Sequence, residues 1–150
     1  MTRRTLWAAA ALVVAACGGR DPRPIVLNED ACAYCRMTIA DARFGGEVVM
    51  RTGRIETFDA VECMAAWVRA ADPATIAGIY VVDLQHPGTL VPAATGGFLR
   101  GALVPSPMGR AISAFVSPEA AEQQRAMLGG RVVSWDELVR DSVASPATRP

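Results

Sequence analysis

The chain of 150 residues contains no lysine and only one histidine, His86. A Ser-His-Asp hydrolase needs a histidine held between a serine and an acid, which a lone histidine in the loop-like segment "QHPG" does not readily supply. The 15 arginines balance 15 acidic residues, so no net charge attracts the chain to nucleic acid or to an acidic membrane surface. These absences argue against nucleic-acid binding and against this class of hydrolase.

A long apolar run is missing as well. Residues 6–16 are apolar, which is too short a run for a stable membrane span, but behind Arg3 and Arg4 they match a signal peptide. The run ends in "VAAC", which resembles a bacterial lipobox. We therefore predict a lipoprotein signal peptide over residues 1–16 and a lipid anchor on Cys17. The start "TRRTLW" also resembles a twin-arginine signal, so the Sec and Tat export routes both stay open.

Lipidation would place the mature protein in the periplasm, held to a membrane by acyl chains. Gly18 follows Cys17 where an aspartate would signal retention in the inner membrane, which favours the outer membrane. Without Arg3 and Arg4 the net charge becomes −2. Residues 17–28 are predicted to form a tether and residues 141–150 a disordered tail.

Between tether and tail, the sequence predicts a single small globular domain of the α+β class over residues 29–140. It contains two tandem ββαβ units, at about residues 36–84 and 97–136. Each half shows two β-rich runs around a turn, then a helix and a closing strand. The first helix is predicted to begin with a capping box formed by Asp59 and Glu62. The second is predicted to begin at Ser117 and to end at Gly129.

Three cysteines remain once Cys17 is lipidated, namely Cys32, Cys35 and Cys63. An odd number cannot all pair in an oxidising compartment, so at least one thiol stays free or is protected by a ligand. A Cys-x-x-Cys oxidoreductase would carry its dithiol in a βαβ setting, which the segment "CAYCRM" lacks. A closed zinc site needs four ligands, usually as two spaced pairs, and no second Cys-x-x-Cys or His-x-His is present.

A softer metal needs fewer ligands. Cu(I) is satisfied by two or three thiolate or thioether sulfurs. If residues 35–39 are extended, Cys35 and Met37 share one face, whereas a turn over residues 31–36 would bring Cys32 to Cys35 instead. Both pairings stay open, and we favour Cys35 with Met37.

Several stretches occur in a fixed order: "CAYCRMTI", "RFGGEVV", "FDAVECM", "SPMGRAISAF" and "GGRVVSW". Together with the lipobox they resemble the NosL family, periplasmic lipoproteins that act as copper chaperones for nitrous oxide reductase. The likeness spans Cys32 to about Leu138. It implies two ββαβ units, an outline shared with part of organomercurial lyase. It also implies Cu(I) binding by sulfur and delivery to the copper–sulfide cluster of nitrous oxide reductase, with no catalysis by the chain itself.

By position, the resemblance assigns Cys35 and Met37 to the family's Cys-Gly-Met element and Met108 to its "MG" methionine. Arg36 departs from the usual glycine. Arg110 stands where some members carry a histidine, so an all-sulfur site is expected.

The expected metal ligands fall into two ranks. Cys63 ranks lower because a cysteine on the first helix is expected to pack in the core, and His86 because a loop tip favours a surface imidazole. The ligands are, in order, Cys35, Met37, Met108 and Cys32, then Cys63 and His86.

We expect a monomer or weak dimer. The alternatives are a periplasmic Cys32–Cys35 thiol-disulfide oxidoreductase, an organomercurial-lyase-like enzyme with Asp59 or Asp41 as proton donor, and a binding module without metal.

Overall fold

The computed structural model describes residues 21–142, which form two antiparallel sheets and three helices. The predicted signal peptide, the predicted lipid anchor Cys17 and residues 143–150 of the predicted tail lie outside these described residues. No helix within residues 21–142 has the length and apolar character needed to cross a membrane.

The first unit is a four-stranded sheet with one helix. Its elements are β1 (Gly46–Met50), β2 (Ile55–Phe58), α1 (Val61–Ala70), β3 (Ile76–Val82) and β4 (Leu90–Pro92). The strand order is β2-β1-β3-β4, and every neighbouring pair is antiparallel. The predicted hairpin joins β1 to β2 through Gly53, whose φ of 85° suits a residue without a side chain.

The second unit repeats this order with a smaller sheet. Its elements are β5 (Gly97–Arg100), β6 (Ile112–Phe115), α2 (Pro118–Leu128), β7 (Arg131–Val133) and α3 (Trp135–Asp141). The strand order is β6-β5-β7. The Ser117 side chain accepts a hydrogen bond from the Ala120 N–H at 3.2 Å, and Gly129 ends α2, as predicted. The predicted α+β class with two ββαβ units is confirmed.

Helix α3 was not predicted from the sequence. The sequence predicts a closing strand that runs to Trp135, but the strand stops at Val133 and the Ser134 hydroxyl caps a helix instead, accepting from the Glu137 N–H at 3.2 Å. Trp135 packs against Phe98 with ring centroids 5.9 Å apart. Helix α3 also packs against α1, so it joins the second unit to the first.

The described part of the predicted tether lies against the domain. The Arg23 N–H donates to Glu47 Oε2 at 3.0 Å, and the Arg23 guanidinium pairs with Asp30 at 2.7 Å. The Asn28 N–H donates to the Ile39 carbonyl at 2.8 Å. Residues 23–28 are therefore hydrogen-bonded to the folded domain.

The predicted capping box of α1 is wrong. The helix begins at Val61 after Ala60, and no side chain caps it. The carboxylate of Asp59 instead accepts a hydrogen bond from the Cys35 thiol at 3.5 Å, and that of Glu62 accepts one from the Ser106 hydroxyl. One oxygen of each acid is thus bonded to a neighbouring loop rather than to the helix terminus, so tertiary contacts override the local pattern.

Candidate metal centre

Four side chains meet where the residue 31–38 loop lies against the corner between β2 and α1. Their metal-binding donor atoms all lie within 4.8 Å of one another, and they belong to Cys32, Cys35, Asp59 and Cys63. We call this group the thiol cluster. Within residues 21–142, no other group of three or more His, Cys, Asp or Glu donors has this arrangement.

A tight turn brings Cys32 and Cys35 together. The Cys32 N–H donates to the Met37 carbonyl at 2.8 Å, and the Arg36 N–H donates to the Cys32 carbonyl at 3.0 Å. Arg36 has a φ of 68°, a left-handed conformation in which glycine meets no steric penalty. This is the position at which the family resemblance expects glycine. Of the two arrangements left open by the sequence, the structure adopts the turn.

Hydrogen bonds to β2 hold this turn over the helix. The Ala33 N–H donates to the Thr57 carbonyl at 2.8 Å, and the Thr57 hydroxyl donates to the Ala31 carbonyl at 2.9 Å. Since Thr57 lies two residues before Asp59, these bonds set the loop beside the corner that carries Asp59 and Cys63. The thiol cluster is thus built by pairing two segments that lie 24 to 26 residues apart in the sequence.

The three thiols differ in exposure. Cys32 and Cys63 are 0% and 1% exposed, whereas Cys35 is only partly buried. Cys63 therefore packs in the core, as expected, and also joins the cluster. Met37, on the same turn, is 52% exposed. The entry side of the cluster is consequently the Cys35 side.

The thiols also differ in acidity. The Cys63 thiol donates a hydrogen bond to the Cys32 sulfur. This bond, together with bonds from backbone N–H groups, lowers the pKa of Cys32 to about 6. Burial raises the pKa of Cys35 to about 11, and the neighbouring Cys32 adds to this effect. The pKa of Cys63 is raised because its proton is held by Cys32 and because it is buried. At neutral pH the cluster therefore carries its thiolate on Cys32.

Met108 lies on the loop between β5 and β6, and this loop is hydrogen-bonded to α1. The Ser106 hydroxyl donates to Glu62 Oε1, and the Arg110 N–H donates to the same oxygen at 3.3 Å. Glu62 is the neighbour of Cys63, so this contact brings the loop to the helix position next to the cluster. Met108 and Cys63 line one cavity of about 390 Å³. Met108 is 38% exposed, as its place on a turn led us to expect.

The remaining candidate, His86, lies elsewhere. Its side chain is 71% exposed, and its Nδ1 is 2.7 Å from Asp83 Oδ2. It does not belong to the thiol cluster.

Conversely, Asp59 was not expected from the sequence to be a metal donor. Its spacing of four residues from Cys63 across the start of a helix was the one available signal.

Comparison with known proteins places these observations in a family. The sequence model of the NosL family matches residues 24–143. Among solved structures, the crystal structure of the copper chaperone NosL from Shewanella denitrificans is similar, with a TM-score of 0.66 and 21% sequence identity. The match covers 79% of this chain and 96% of that one. No curated protein sequence matches the chain. At this identity the likeness to the solved structure is one of fold, but the family match spans most of the sequence, and the chain belongs to the NosL family.

Proposed function

We propose that this protein is a Cu(I) metallochaperone, anchored through a lipid on Cys17 to the periplasmic face of the outer membrane. It would deliver copper for assembly of the copper–sulfide cluster of nitrous oxide reductase. The observation that carries the proposal is the convergence of three thiols at one partly exposed point of the fold. The similar fold of a NosL copper chaperone supports it.

The donor set suits Cu(I) chemistry. Thiolate and thioether sulfurs are soft ligands that select Cu(I), which needs only two or three of them. We assign Cys35 and Cys32 as the thiolate ligands, because Cys35 faces the entry side and Cys32 already carries the negative charge. The thioethers of Met37 and Met108 are partly exposed and neutral. They are therefore the ligands that an acceptor's donor atoms would displace first, and copper transfer is a ligand exchange rather than a catalysed reaction.

Copper affinity should depend on pH with a defined sign. Between about pH 6 and pH 11, Cys32 is already a thiolate while Cys35 must lose a proton to bind the metal. The apparent association constant for Cu(I) should thus rise about tenfold per pH unit in the range 6.5–8.5, since one proton is released. Competition against a Cu(I) chelator of known pH dependence measures this slope. A flat profile would show that no protonated thiol is recruited.

The direct test of the proposal is transfer to the acceptor. The reduced protein should bind one Cu(I). Mixing the loaded form with copper-free nitrous oxide reductase, in the presence of sodium sulfide as the source of the cluster's sulfide, should restore the reductase's copper–sulfide absorption and its activity. Free Cu(I) held in an excess of chelator at the same free concentration is the control. If the reductase gained no more copper and activity than in this control, copper delivery would be contradicted. Copper binding by the protein itself is tested separately, by the titration.

The geometry of the site argues against one alternative function and supports another as the second candidate. A dithiol oxidoreductase needs an accessible, acidic thiol, but the acidic one, Cys32, is fully buried and the accessible one, Cys35, has a raised pKa. An organomercurial-lyase-like reaction would need a carboxyl group beside metal-binding thiols, and Asp59 does lie 3.5 Å from the Cys35 sulfur. It is therefore the second candidate. Release of alkane from an alkylmercury compound by the reduced protein is the measurement that would establish it, and we expect none.

A further inference from the structure

Residues 23–39 form a two-stranded arm, whose base is residues 23–28 and whose tip is the turn that carries the first two cysteines. Backbone hydrogen bonds join its two sides. The Asn28 N–H donates to the Ile39 carbonyl at 2.8 Å, and the Cys32 N–H donates to the Met37 carbonyl at 2.8 Å. The two sides are therefore paired near the base and again near the tip, so that a contact made by the base also affects the position of the tip.

The base of the arm is fixed to the domain at Arg23 and Val26. The Arg23 N–H donates to Glu47 Oε2 at 3.0 Å, and its guanidinium donates two hydrogen bonds to the Asp30 carboxylate, at 2.7 and 2.8 Å. The Val26 N–H donates to the same carboxylate at 2.8 Å, and the Val26 carbonyl accepts from the Asp30 N–H at 2.9 Å. Because both backbone groups of Val26 are bonded, this residue has a fixed place on the surface.

The surface of the base is apolar. Residues 24–27 read "PIVL"; Val26 is 43% exposed, and its neighbours Ile25 and Leu27 are only half-buried. Among residues 21–96, the exposed large hydrophobic side chains are those of Val26 and Met37, and both belong to the arm. Single exposed apolar residues are ordinary on a protein surface, but here they are confined to the element that follows the predicted lipid anchor.

A lipid on Cys17 would keep the base of the arm close to the bilayer. Arg23 follows Cys17 by six residues and Val26 by nine. Since an extended chain spans at most about 3.6 Å per residue, Arg23 would lie within about 22 Å of the lipidated residue and Val26 within about 32 Å. So short a connection gives the base a high effective concentration at the lipid surface, and a small apolar contact then suffices for docking.

The charge of this segment shows which lipid surface it suits. Residues 21–39 contain two arginines, Arg23 and Arg36, and three acidic residues, which gives a formal charge of −1. Arg23 is moreover paired with Asp30, so these residues offer no excess of positive charge to anionic headgroups. Contact with a bilayer would therefore come from apolar side chains at the interface, which zwitterionic lipid provides equally well.

We propose that the base of the arm is a membrane-docking edge, in which residues 24–27 insert into the headgroup region of the bilayer that holds the lipid anchor. The inference rests on the lipidation of Cys17 in the proposed function. It adds that the domain is held against the lipid surface in one orientation instead of moving freely on its tether. The thiol cluster, on the same arm, then stays beside the membrane, and an acceptor receives copper there.

The test places a tryptophan on the docking edge of the lipidated mature chain. Val26→Trp is reconstituted into phosphatidylcholine vesicles with and without bromine near the top of the acyl chains, because bromine quenches tryptophan on contact. Docked apolar side chains lie about 5–10 Å into the headgroup–acyl boundary, so bromination should remove most of the emission that the substitution adds. Pro24→Trp, at a second exposed position, should be quenched likewise. Adding anionic phosphatidylglycerol should leave the quenching unchanged.

The matched control is Met127→Trp. Met127 is 67% exposed near the end of α2, in the second unit. Its variant should show no quenching beyond that of the wild type, whose Trp67 and Trp135 provide the background emission. Flotation with the vesicles measures attachment separately. The lipidated chains should float and Cys17→Ser should not, because so small an apolar edge cannot hold the domain without acyl chains.

The two measurements separate the two claims. If the lipidated chain floats but neither Val26→Trp nor Pro24→Trp is quenched more than Met127→Trp, docking is overturned and the lipid anchor stands. If quenching appears only with phosphatidylglycerol, the contact is electrostatic and the apolar edge is likewise overturned. If the lipidated chain does not float, the anchor in the proposed function is contradicted, and the docking edge with it.

Discussion

Replacing Cys35 with serine should lower the affinity of the protein for Cu(I) by at least about 100-fold, at the upper end of what the loss of groups around a metal site costs. Cys35 is the only one of the three described thiols that is not fully buried, and it occupies the entry side of the cluster. A serine hydroxyl keeps nearly the same volume but is a hard ligand that does not bind Cu(I). Titration against a competing Cu(I) chelator measures the loss.

Methionine variants provide the matched controls for this prediction. Met37→Leu and Met108→Leu should each weaken Cu(I) binding by a smaller factor, because a neutral thioether contributes less than a thiolate. Met127→Leu removes a more exposed thioether, 67% exposed near the end of α2, and should change nothing. If Cys35→Ser kept wild-type affinity while remaining folded, Cys35 would not be a ligand and the proposed site would have to be abandoned.

Replacing Phe58 with alanine should destabilise the domain by about 3–5 kcal/mol, the cost of emptying a buried aromatic site. Phe58 is 0% exposed at the end of β2, and its ring meets Trp67 edge-on with centroids 5.6 Å apart. Because it immediately precedes Asp59, it also fixes the corner that carries half of the thiol cluster. Thermal unfolding followed by circular dichroism should show a midpoint at least about 10 °C lower.

Leu103→Ala serves as the reference for this measurement. Leu103 is 80% exposed, so its truncation should change the free energy of unfolding by no more than about 0.5 kcal/mol. A Phe58→Ala protein as stable as Leu103→Ala would mean that the corner between β2 and α1 is not part of the core. The position of Asp59 and Cys63 beside the loop would then lack its support.

Much of the fold could be predicted from local patterns. The hairpin around Gly53 and the cap of α2 at Ser117 depend on neighbouring residues alone, and both are found where the sequence placed them. The capping box at Asp59 failed because Ala60, not Asp59, precedes the first helical residue, and the Asp59 carboxylate instead contacts the Cys35 thiol from another part of the chain. Helix α3 was missed because Ser134 can end a strand or cap a helix, and packing against α1 decides between them.

The candidate site was only partly predictable. The Cys32–Cys35 pair is visible as a motif, and the turn that joins its thiols was one of two arrangements the spacing allowed. The contribution of Cys63 and Asp59 depends on hydrogen bonds from Ala33 and Thr57, which connect segments distant in sequence. No periodicity or motif encodes such a long-range pairing. This is why Asp59 was considered only as a cap or a proton donor. Cys63 ranked low because a cysteine on the first helix was expected to pack in the core, which it does while also joining the cluster.

X-ray absorption at the copper edge of the Cu(I)-loaded protein tests the central claim most directly, because it counts the atoms that touch the metal. We predict a first shell of about three sulfur atoms with no nitrogen or oxygen, as soft ligation of Cu(I) requires. One sulfur should disappear in Cys35→Ser. A shell dominated by nitrogen or oxygen atoms, or a sulfur count unchanged by that substitution, would contradict copper binding at the thiol cluster.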